Sequence, residues 1–316
     1  MEVTVRHTLN AHFVEAEAPS TVQFQHEAVS VSVATTSTPD GAFAAITCIG
    51  VTHIDDDEEL NDTGGGIAWT SSGLVMLSDQ RDQRYARAVV AGFQKIERVL
   101  KQVGTVLRWR FGLSGYDPVF KDTTVTAQLA NGRSLDLHLV PQSAMGDDRA
   151  NIEQDGLSAA AELVTSFQRE PVAHELWREA WNLRHSSPRS SLVIGVAAAE
   201  VGLKQLIAAL VPHASSLVEN IPSPPLDTMI RKVLPDLPIR ADVEPARRTP
   251  RHLRTAIVAA VEDRNRVVHL GAMPRADLRQ TLLAIREFLY ILDMYSGHPW
   301  AEALLAEKTR SALTGP

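Results

Sequence analysis

Cysteine is almost absent from this chain, since Cys48 is the only one among 316 residues. A single cysteine excludes an internal disulfide and any zinc site built from a cysteine cluster. The chain also lacks a run of about 18 apolar residues, which a membrane-spanning helix would need. Its opening stretch, MEVTVRHTLNAHF, has neither the charged nor the apolar region of a secretion signal. We therefore expect a cytoplasmic protein.

Aromatic residues are also few, at 5%, yet 44% of the chain is hydrophobic and 22% is charged, as in globular proteins. The length of 316 residues is enough for two domains of ordinary size. The net charge of −7 comes from the first 150 residues, where 12 basic residues face 19 acidic ones. The first half is therefore not expected to bind nucleic acid through bulk charge.

Alternating apolar and polar residues predict strands in the first half, as in Val29-Ser30-Val31-Ser32-Val33. The predicted strands span 3–6, 29–33, 42–51, 73–77, 105–110, 124–129 and 134–140. Asn131-Gly132 is a strong hairpin signal between the last two. One helix, 81–102, carries apolar residues on a single face, which would cover one side of a sheet. Residues 1–145 are thus predicted to form a β-rich domain with one packed helix and an unknown ligand.

The second half reads as helical after a polar linker over 145–156. Apolar residues recur with helical spacing, and the helix starts and stops are marked, for example by Ser187-Pro188 and by Gly271 with Pro274. The predicted helices span 157–168, 171–184, 189–210, 226–234, 253–270 and 275–295. The sequence therefore predicts the α+β class, in which an all-α domain over 157–316 follows the β-rich one.

Arg264 is the most unusual residue in this half, because it places a fixed charge within an apolar helix stripe. At roughly 100° per residue, the helix 253–270 gathers its apolar side chains within about 120°, the pattern of a buried face. These side chains are Leu253, Ile257, Ala260, Val261, Val267 and Val268. Arginine keeps its charge in proteins, and burying it without a partner costs several kcal/mol. Arg264 must therefore meet a carboxylate, a backbone cluster or an anion.

Two partners for Arg264 stay open. Glu200 borders the apolar stripe of the helix 189–210 and would form a buried ion pair inside the bundle. Such a pair is either purely architectural or a device that orients the guanidinium for catalysis. The other partner is a phosphate in an open cleft.

The residues around Arg264 form a recognisable motif. Arg264-Asn265-Arg266-Val267-Val268-His269 fits Arg-x4-His, with a polar residue directly after the arginine. The helical pair before it, over 176–207, has a Ser-Pro-Arg start and an Ala-Ala-Ala-Glu run. Together these features resemble the HEPN superfamily, in particular Apea-like HEPN proteins. The resemblance covers about residues 170–297 and leaves the first domain unaccounted for.

The resemblance implies an endoribonuclease that uses no metal or cofactor and leaves 2′,3′-cyclic phosphate ends. It assigns the phosphate to Arg264, proton transfer to His269 and orientation to Asn265. These residue types suit that chemistry, because histidine exchanges protons near neutral pH and arginine binds phosphate through a planar fork. Proteins with this layout often serve in toxin or antiphage defence, with the first domain sensing a regulatory protein or ligand.

The spacing of the motif adds a condition. Residues five apart on a helix differ by about 140° and rise about 7.5 Å, so Arg264 and His269 are not expected to share one face. HEPN proteins resolve this by dimerising around a shared cleft. A homodimer is therefore part of the hypothesis.

Further basic residues are candidates for RNA binding, namely Arg247, Arg248, Arg251, Arg254 and Arg266. The alternative for them is a solvated loop and helix face. The alternative for the whole domain is a non-catalytic HEPN-like module that binds a nucleotide or a protein. In the first domain, the acidic run 55–59 lacks the spacing of a calcium loop and is interpreted as solvated.

Overall fold

A computed structural model describes residues 1–9, 14–15, 19–37, 44–54, 67–70, 73–76, 86–114, 120–129, 132, 134–138, 150–214, 220 and 225–315. The chain forms two compact units, Met1–Arg169 and Glu170–Pro316. The first is β-rich and the second is helical, so the α+β class is confirmed. The acidic run 55–59, the glycines 64–66 and most of the predicted linker lie outside the described residues.

The first unit is built on one sheet, which among the described residues has eight strands. Its long antiparallel strands lie in the order β3-β4-β5-β1-β8-β9. The short β2 pairs with the end of β5, and β10 joins β2 in parallel. A separate ribbon consists of β6 and β7. The strands are β1 Glu2–Leu9, β2 Val14–Glu15, β3 Thr21–His26, β4 Val29–Ser37, β5 Ala44–His53, β6 Ile67–Thr70, β7 Gly73–Met76, β8 Phe120–Gln128, β9 Ser134–His138 and β10 Ala150–Asn151.

The alternation of apolar and polar residues along the strands decides which face of this sheet is buried. Val3 and Val5 of β1 and Val125 of β8 are buried, and Val5 lies opposite Val125 in the register. Helix α1, Ala86–Phe111, contacts β1, β4, β5 and β8 with its apolar side chains. The predicted strand 105–110 is wrong, because α1 continues through it. Val106 and Leu107 extend the helical stripe and are fully buried.

Helix α2, Gln154–Thr165, belongs to the first unit, although the sequence placed it at the start of the second domain. It contacts α1 and β3. The Gln154 side chain accepts from the Thr21 backbone N–H at 3.0 Å and donates to the Thr21 carbonyl at 2.9 Å. Helical periodicity reports a buried face but not the partner of that face, so the sequence misplaced this boundary.

The second unit is a helical bundle whose elements lie close to the predicted ones. Its helices are α3 Val172–Leu183, α4 Pro188–Leu210, α5 Arg251–Leu270, α6 Leu278–Ser296 and α7 Glu307–Thr314. A short segment over 226–236 begins as Leu226–Thr228, widens into a π-helical turn and tightens into a 3-10 turn. Further 3-10 turns lie at Pro212–Ala214, Pro245–Arg247 and Pro299–Leu304.

Helix α4 lies at the centre of the bundle and contacts α3, α5 and α6. A Cβ atom at Gly195 would lie 2.6 Å from Leu282 of α6, and one at Gly202 would lie 2.6 Å from Leu289. Both glycines therefore allow α6 to approach closely. By length and composition α4 is apolar enough to cross a membrane, but in this fold 56% of its apolar window is buried inside the protein, as a central helix requires.

Candidate functional site

Helix α5 carries the motif, and it ends where the sequence predicts. Gly271 has a left-handed backbone with φ of 62°, and its N–H donates to the Val267 carbonyl. Glycine adopts this conformation without steric penalty and commonly closes a helix in this way. His269 therefore lies in the last turn of α5.

The buried face of α5 packs on α4. Leu192 and Val196 of α4 form one apolar cluster with Ala260 and Val267 of α5. Val268 was also predicted to be buried, and this is wrong, because 57% of it is exposed. It lies on the wall of a cleft rather than in the core.

Arg264 forms the predicted ion pair with Glu200. Its Nη2 donates to Glu200 Oε1 at 2.7 Å, and the two side chains are 20% and 11% exposed. The Arg264 Nε atom is shielded from solvent and has no hydrogen-bond partner in the described part of the chain. A buried donor without an acceptor is costly. Glu200 therefore neutralises the charge of Arg264 without saturating its donors.

The three motif residues line one cleft. Its lining consists of Pro225, Leu226, Val261, Arg264, Asn265, Val268 and His269, and its volume is about 410 Å³. Ligand sites commonly start at about 300 Å³. The sequence predicted that Arg264 and His269 would not share a face. The cleft is wide enough to span the arc between them, because Asn265 and Val268 fill the intermediate positions.

The chemical character of the cleft is mixed. Four of its lining residues are apolar, while Arg264, Asn265 and His269 supply a cation, an amide and an imidazole. Asn265 and His269 are exposed on the surface of α5. Such a cleft offers an anion a guanidinium, a neutral donor and a group that can exchange protons.

Asp263 is a buried charge that sequence reasoning missed. Its carboxylate accepts from Arg266 Nη2 at 2.6 Å and from the Arg275 backbone N–H at 2.7 Å. Burial raises the pKa of Asp263, but the hydrogen bonds from Arg266, Arg275 and Ala276 outweigh it and lower the pKa below its ordinary value. The signal was present, since Asp263 lies three residues after Ala260 and so falls on the buried face.

Two of the candidate RNA-binding arginines are bound into the fold. Arg248 Nη1 donates to three backbone carbonyls, those of Leu234, Pro235 and Leu237. Arg247 donates to the Thr314 carbonyl at 2.9 Å and lies 3.5 Å from the Glu244 carboxylate. The Arg248 guanidinium is thus hydrogen-bonded to the segment before α5.

The remaining three candidates differ from one another. Arg266 pairs with Asp263 and also donates to the Met273 carbonyl at 2.9 Å. Arg251 and Arg254 form no ion pair among the described residues. They lie in the first turn of α5, about 25 Å from His269 at 1.5 Å per residue.

A second polar cluster lies inside the bundle, and the sequence did not indicate it. Arg178 binds both carboxylate oxygens of Glu170 through its two Nη atoms, and all of these groups are buried. His174 Nε2 lies 2.8 Å from Asp293 Oδ2, and the His174 ring packs against Tyr290. Burial raises the pKa of Tyr290 to about 12. None of these five residues lines the cleft.

Most aromatic residues of the bundle belong to its core, whereas Trp300 is half-buried. Trp177, Trp181, Phe288 and Tyr290 are all buried. Trp177 stacks on Trp181 with ring centroids 5.4 Å apart, and its indole N–H donates to the Leu282 carbonyl. They are therefore not positioned as base-stacking groups.

Among the described residues, no three His, Cys, Asp or Glu side chains are grouped closely enough to hold a metal ion. Burial raises the pKa of Cys48 to about 12, so its thiol is neutral at ordinary pH.

Comparison of the chain with protein-family models, with curated proteins and with solved structures finds no match. The resemblance to the HEPN superfamily therefore stays a prediction that rests on the motif.

Proposed function

We propose that the helical unit is a metal-independent endoribonuclease that acts in the cleft of α5. The observation that carries this proposal is that Arg264, Asn265 and His269 line one open cleft. A guanidinium, an amide and an imidazole are the groups that such a reaction uses. The HEPN-like identity, the role in toxin or antiphage defence and control by the first unit belong to the same proposal and come from the resemblance alone.

The proposed reaction is an internal transesterification. Neutral His269 accepts the proton of the 2′-hydroxyl, and the 2′-oxygen then bonds to the adjacent phosphorus. The bond from phosphorus to the 5′-oxygen breaks, and the leaving oxygen takes a proton from an imidazolium. The products are a 2′,3′-cyclic phosphate and a 5′-hydroxyl, so no metal, oxidant or water is consumed.

Arg264 stabilises the charge that develops on the phosphate oxygens. Its bond to Glu200 fixes one Nη2 hydrogen and hence the plane of the guanidinium. The Nη donors that do not bind Glu200 are left for a phosphate, for which a planar guanidinium is well suited. In this proposal Glu200 is a positioning residue and Asn265 orients the reacting groups.

A second copy of the chain supplies the second imidazole. Leu270 is 75% exposed and Val268 is 57% exposed, and both lie beside His269 at the end of α5. Exposed apolar residues next to a cleft favour a protein interface. Pairing there brings two motifs together, which gives one histidine as base and the other as acid.

The test is cleavage of RNA in the presence of EDTA, followed by analysis of the new ends. We expect cyclic phosphate ends from the wild type and none from Arg264→Ala or His269→Ala, with circular dichroism unchanged. Arg310→Ala serves as the matched control, because Arg310 is a helical arginine of the same unit that lies outside the cleft. Intact RNA with wild-type protein at every concentration, including those that give a dimer, contradicts the proposal.

The competing function is a non-catalytic module that binds a nucleotide or a protein. The apolar part of the cleft lining, Pro225, Leu226, Val261 and Val268, favours it. Binding of a nucleotide or a protein at the cleft without any cleavage of RNA distinguishes this module from the enzyme.

A further inference from the structure

The arginines of the helical unit differ in whether a carboxylate neutralises them. The arginines that form ion pairs with carboxylates include Arg178, Arg231, Arg247, Arg264, Arg266 and Arg310. Arg189, Arg275 and Arg279 are exposed and form no ion pair within the described residues. Their guanidinium groups are therefore free to meet an external anion.

These three unpaired arginines gather around one loop. Arg189, in the first turn of α4, donates from Nε to the Met273 sulfur at 3.3 Å, and sulfur is a weak acceptor. Arg275 follows two residues after Met273, and its backbone N–H is held by Asp263. Arg279 lies in the first turn of α6. We name Arg189, Arg275 and Arg279 with Met273 the arginine surface.

The loop of the arginine surface follows the end of α5 that carries His269. Arg266 is three residues before His269, and its Nη2 donates to the Met273 carbonyl at 2.9 Å. The loop is thereby fastened to the last two turns of α5, which carry His269. A polynucleotide seated in the cleft would meet this surface on leaving it.

Two of the nearby carboxylates are already hydrogen-bonded within the fold. Asp263 is paired with Arg266, and Asp277 accepts the backbone N–H groups of Arg279 and Gln280 as the cap of α6. Glu262 is exposed one turn before Arg266. Its negative charge opposes the binding of phosphate and can be removed by substitution.

We propose that the arginine surface binds single-stranded RNA on the side of the scissile phosphate where the strand leaves the cleft. The three guanidiniums contact phosphates, and Met273, which is 54% exposed, contacts an unstacked base. Single strands are the form of RNA that presents such bases to side chains. This inference rests on the proposed function. It assigns the main RNA-binding surface to the arginine surface on α4, α6 and the loop before α6, rather than to Arg251 and Arg254 at the start of α5.

Salt dependence tests the proposal directly, because each phosphate contact to single-stranded RNA contributes about −0.7 to the slope of log affinity against log salt. Affinity for a fluorescent single-stranded RNA is measured in EDTA in the His269→Ala background, which removes cleavage. The triple variant Arg189→Gln, Arg275→Gln, Arg279→Gln should bind about tenfold more weakly at about 50 mM salt, and its slope should be shallower by about two.

Three controls accompany the triple variant. The corresponding triple change to lysine should keep the slope, because the charges are retained. Glu262→Gln should tighten binding about twofold, since it removes an opposing charge. Arg251→Gln with Arg254→Gln should leave the slope unchanged.

The outcomes test RNA binding by the arginine surface separately from RNA cleavage. An unchanged slope in the glutamine triple variant overturns the surface, even if the wild type cleaves RNA. An equal loss in the Arg251 and Arg254 variant also overturns it, as does a wild type that binds no RNA. A shallower slope in the triple variant supports the surface, even if the wild type cleaves nothing and the ribonuclease proposal fails.

Discussion

Two arginines of the helical unit, the buried Arg178 and the partly buried Arg264, are each paired with a glutamate, but to different extents. Arg178 uses both Nη atoms on both oxygens of Glu170, and the Glu170 side chain is 1% exposed. Arg264 uses one Nη atom on one oxygen of Glu200 and also lines a cleft. We call the first pair closed, because Arg178 binds both oxygens of Glu170. We call the second pair open, because Arg264 keeps donors that do not bind Glu200. A carboxylate partner therefore does not by itself make an arginine architectural.

The difference follows from where each pair lies in the bundle. Glu170 lies just before Pro171, the N-cap of α3, and Arg178 lies on α3 eight residues after Glu170, so both members of the pair belong to the same helix end. Arg264 and Glu200 belong to α5 and α4, which pack along an apolar seam, and Arg264 also lines the cleft together with Pro225 and Leu226. A closed bidentate pair has little capacity to bind anything else. A single-bonded arginine at a cleft wall can exchange solvent for an anion.

The largest expected effect concerns stability at the closed pair. Arg178→Met should lower the free energy of unfolding by about 3–5 kcal/mol, because it leaves the Glu170 charge buried without a partner. The double variant Glu170→Met, Arg178→Met should recover most of that loss, since well-packed apolar residues can replace a buried pair. Urea denaturation measures both values.

The same pair of changes at the open site is the matched comparison. Arg264→Met should cost less stability, because its side chain is 20% exposed and solvent compensates part of the charge. The double variant with Glu200→Met should not recover RNA cleavage, whatever its stability. Equal stability losses at the two sites would remove the distinction between closed and open pairs.

The sequence predicts the open pair but not the closed one, for a physical reason. Arg264 and Glu200 each interrupt or border a periodic apolar stripe, so each is visible as a charge in the wrong place. Glu170 lies outside any helix, directly before Pro171, where a charged residue is ordinary. Asp263 lies on the buried face that periodicity marks, but its partners, the Arg266 side chain and the backbone N–H groups of the loop after α5, do not follow from periodicity.

In the fold as well, features that depend on neighbouring residues could be predicted, whereas features that depend on distant contacts could not. Helix ends at Ser187-Pro188 and Gly271 follow from local stereochemistry and were predicted. The strand Thr21–His26 was missed, because its hairpin turn uses Glu27 and Ala28 at positive φ, where glycine or asparagine is usual. The strand predicted at 105–110 failed because β-branched and aromatic residues also occur within a buried helix.

A smaller effect is expected at Asp263, which is buried like Glu170 but lies on the helix that carries the cleft. Asp263→Asn should cost about 1–3 kcal/mol at pH 7, because the hydrogen bonds from Arg266 and the Arg275 backbone lose their charged acceptor. The pKa of Asp263 is lowered in the fold. Its contribution is therefore complete above the unfolded pKa of about 3.9 and is lost as the pH falls through the folded value.

Urea denaturation of wild type and Asp263→Asn at a series of pH values checks this sign. The difference between them should stay constant from pH 7 down to about 4 and then shrink, since protonated Asp263 resembles asparagine. A difference that grows as the pH falls would show that the carboxyl is bound in its protonated form. That result would also weaken the view that Asp263 fastens the loop beside His269.

The smallest expected effect is the response of the two arginine pairs to salt. The coupling energy of each pair comes from a double-mutant cycle, with Arg264 and Glu200 in one cycle and Arg178 and Glu170 in the other. At about 1 M salt the screening length falls to about 3 Å, which weakens charge interactions that solvent reaches. The Arg264 coupling should fall by less than about 1 kcal/mol, within the range of partly exposed pairs, whereas the sealed Arg178 coupling should not change. If both coupling energies fell equally, salt ions would reach Arg178 as readily as they reach Arg264 in the cleft. Solvent access would then not distinguish the architectural Arg178 from Arg264, which we assign to RNA.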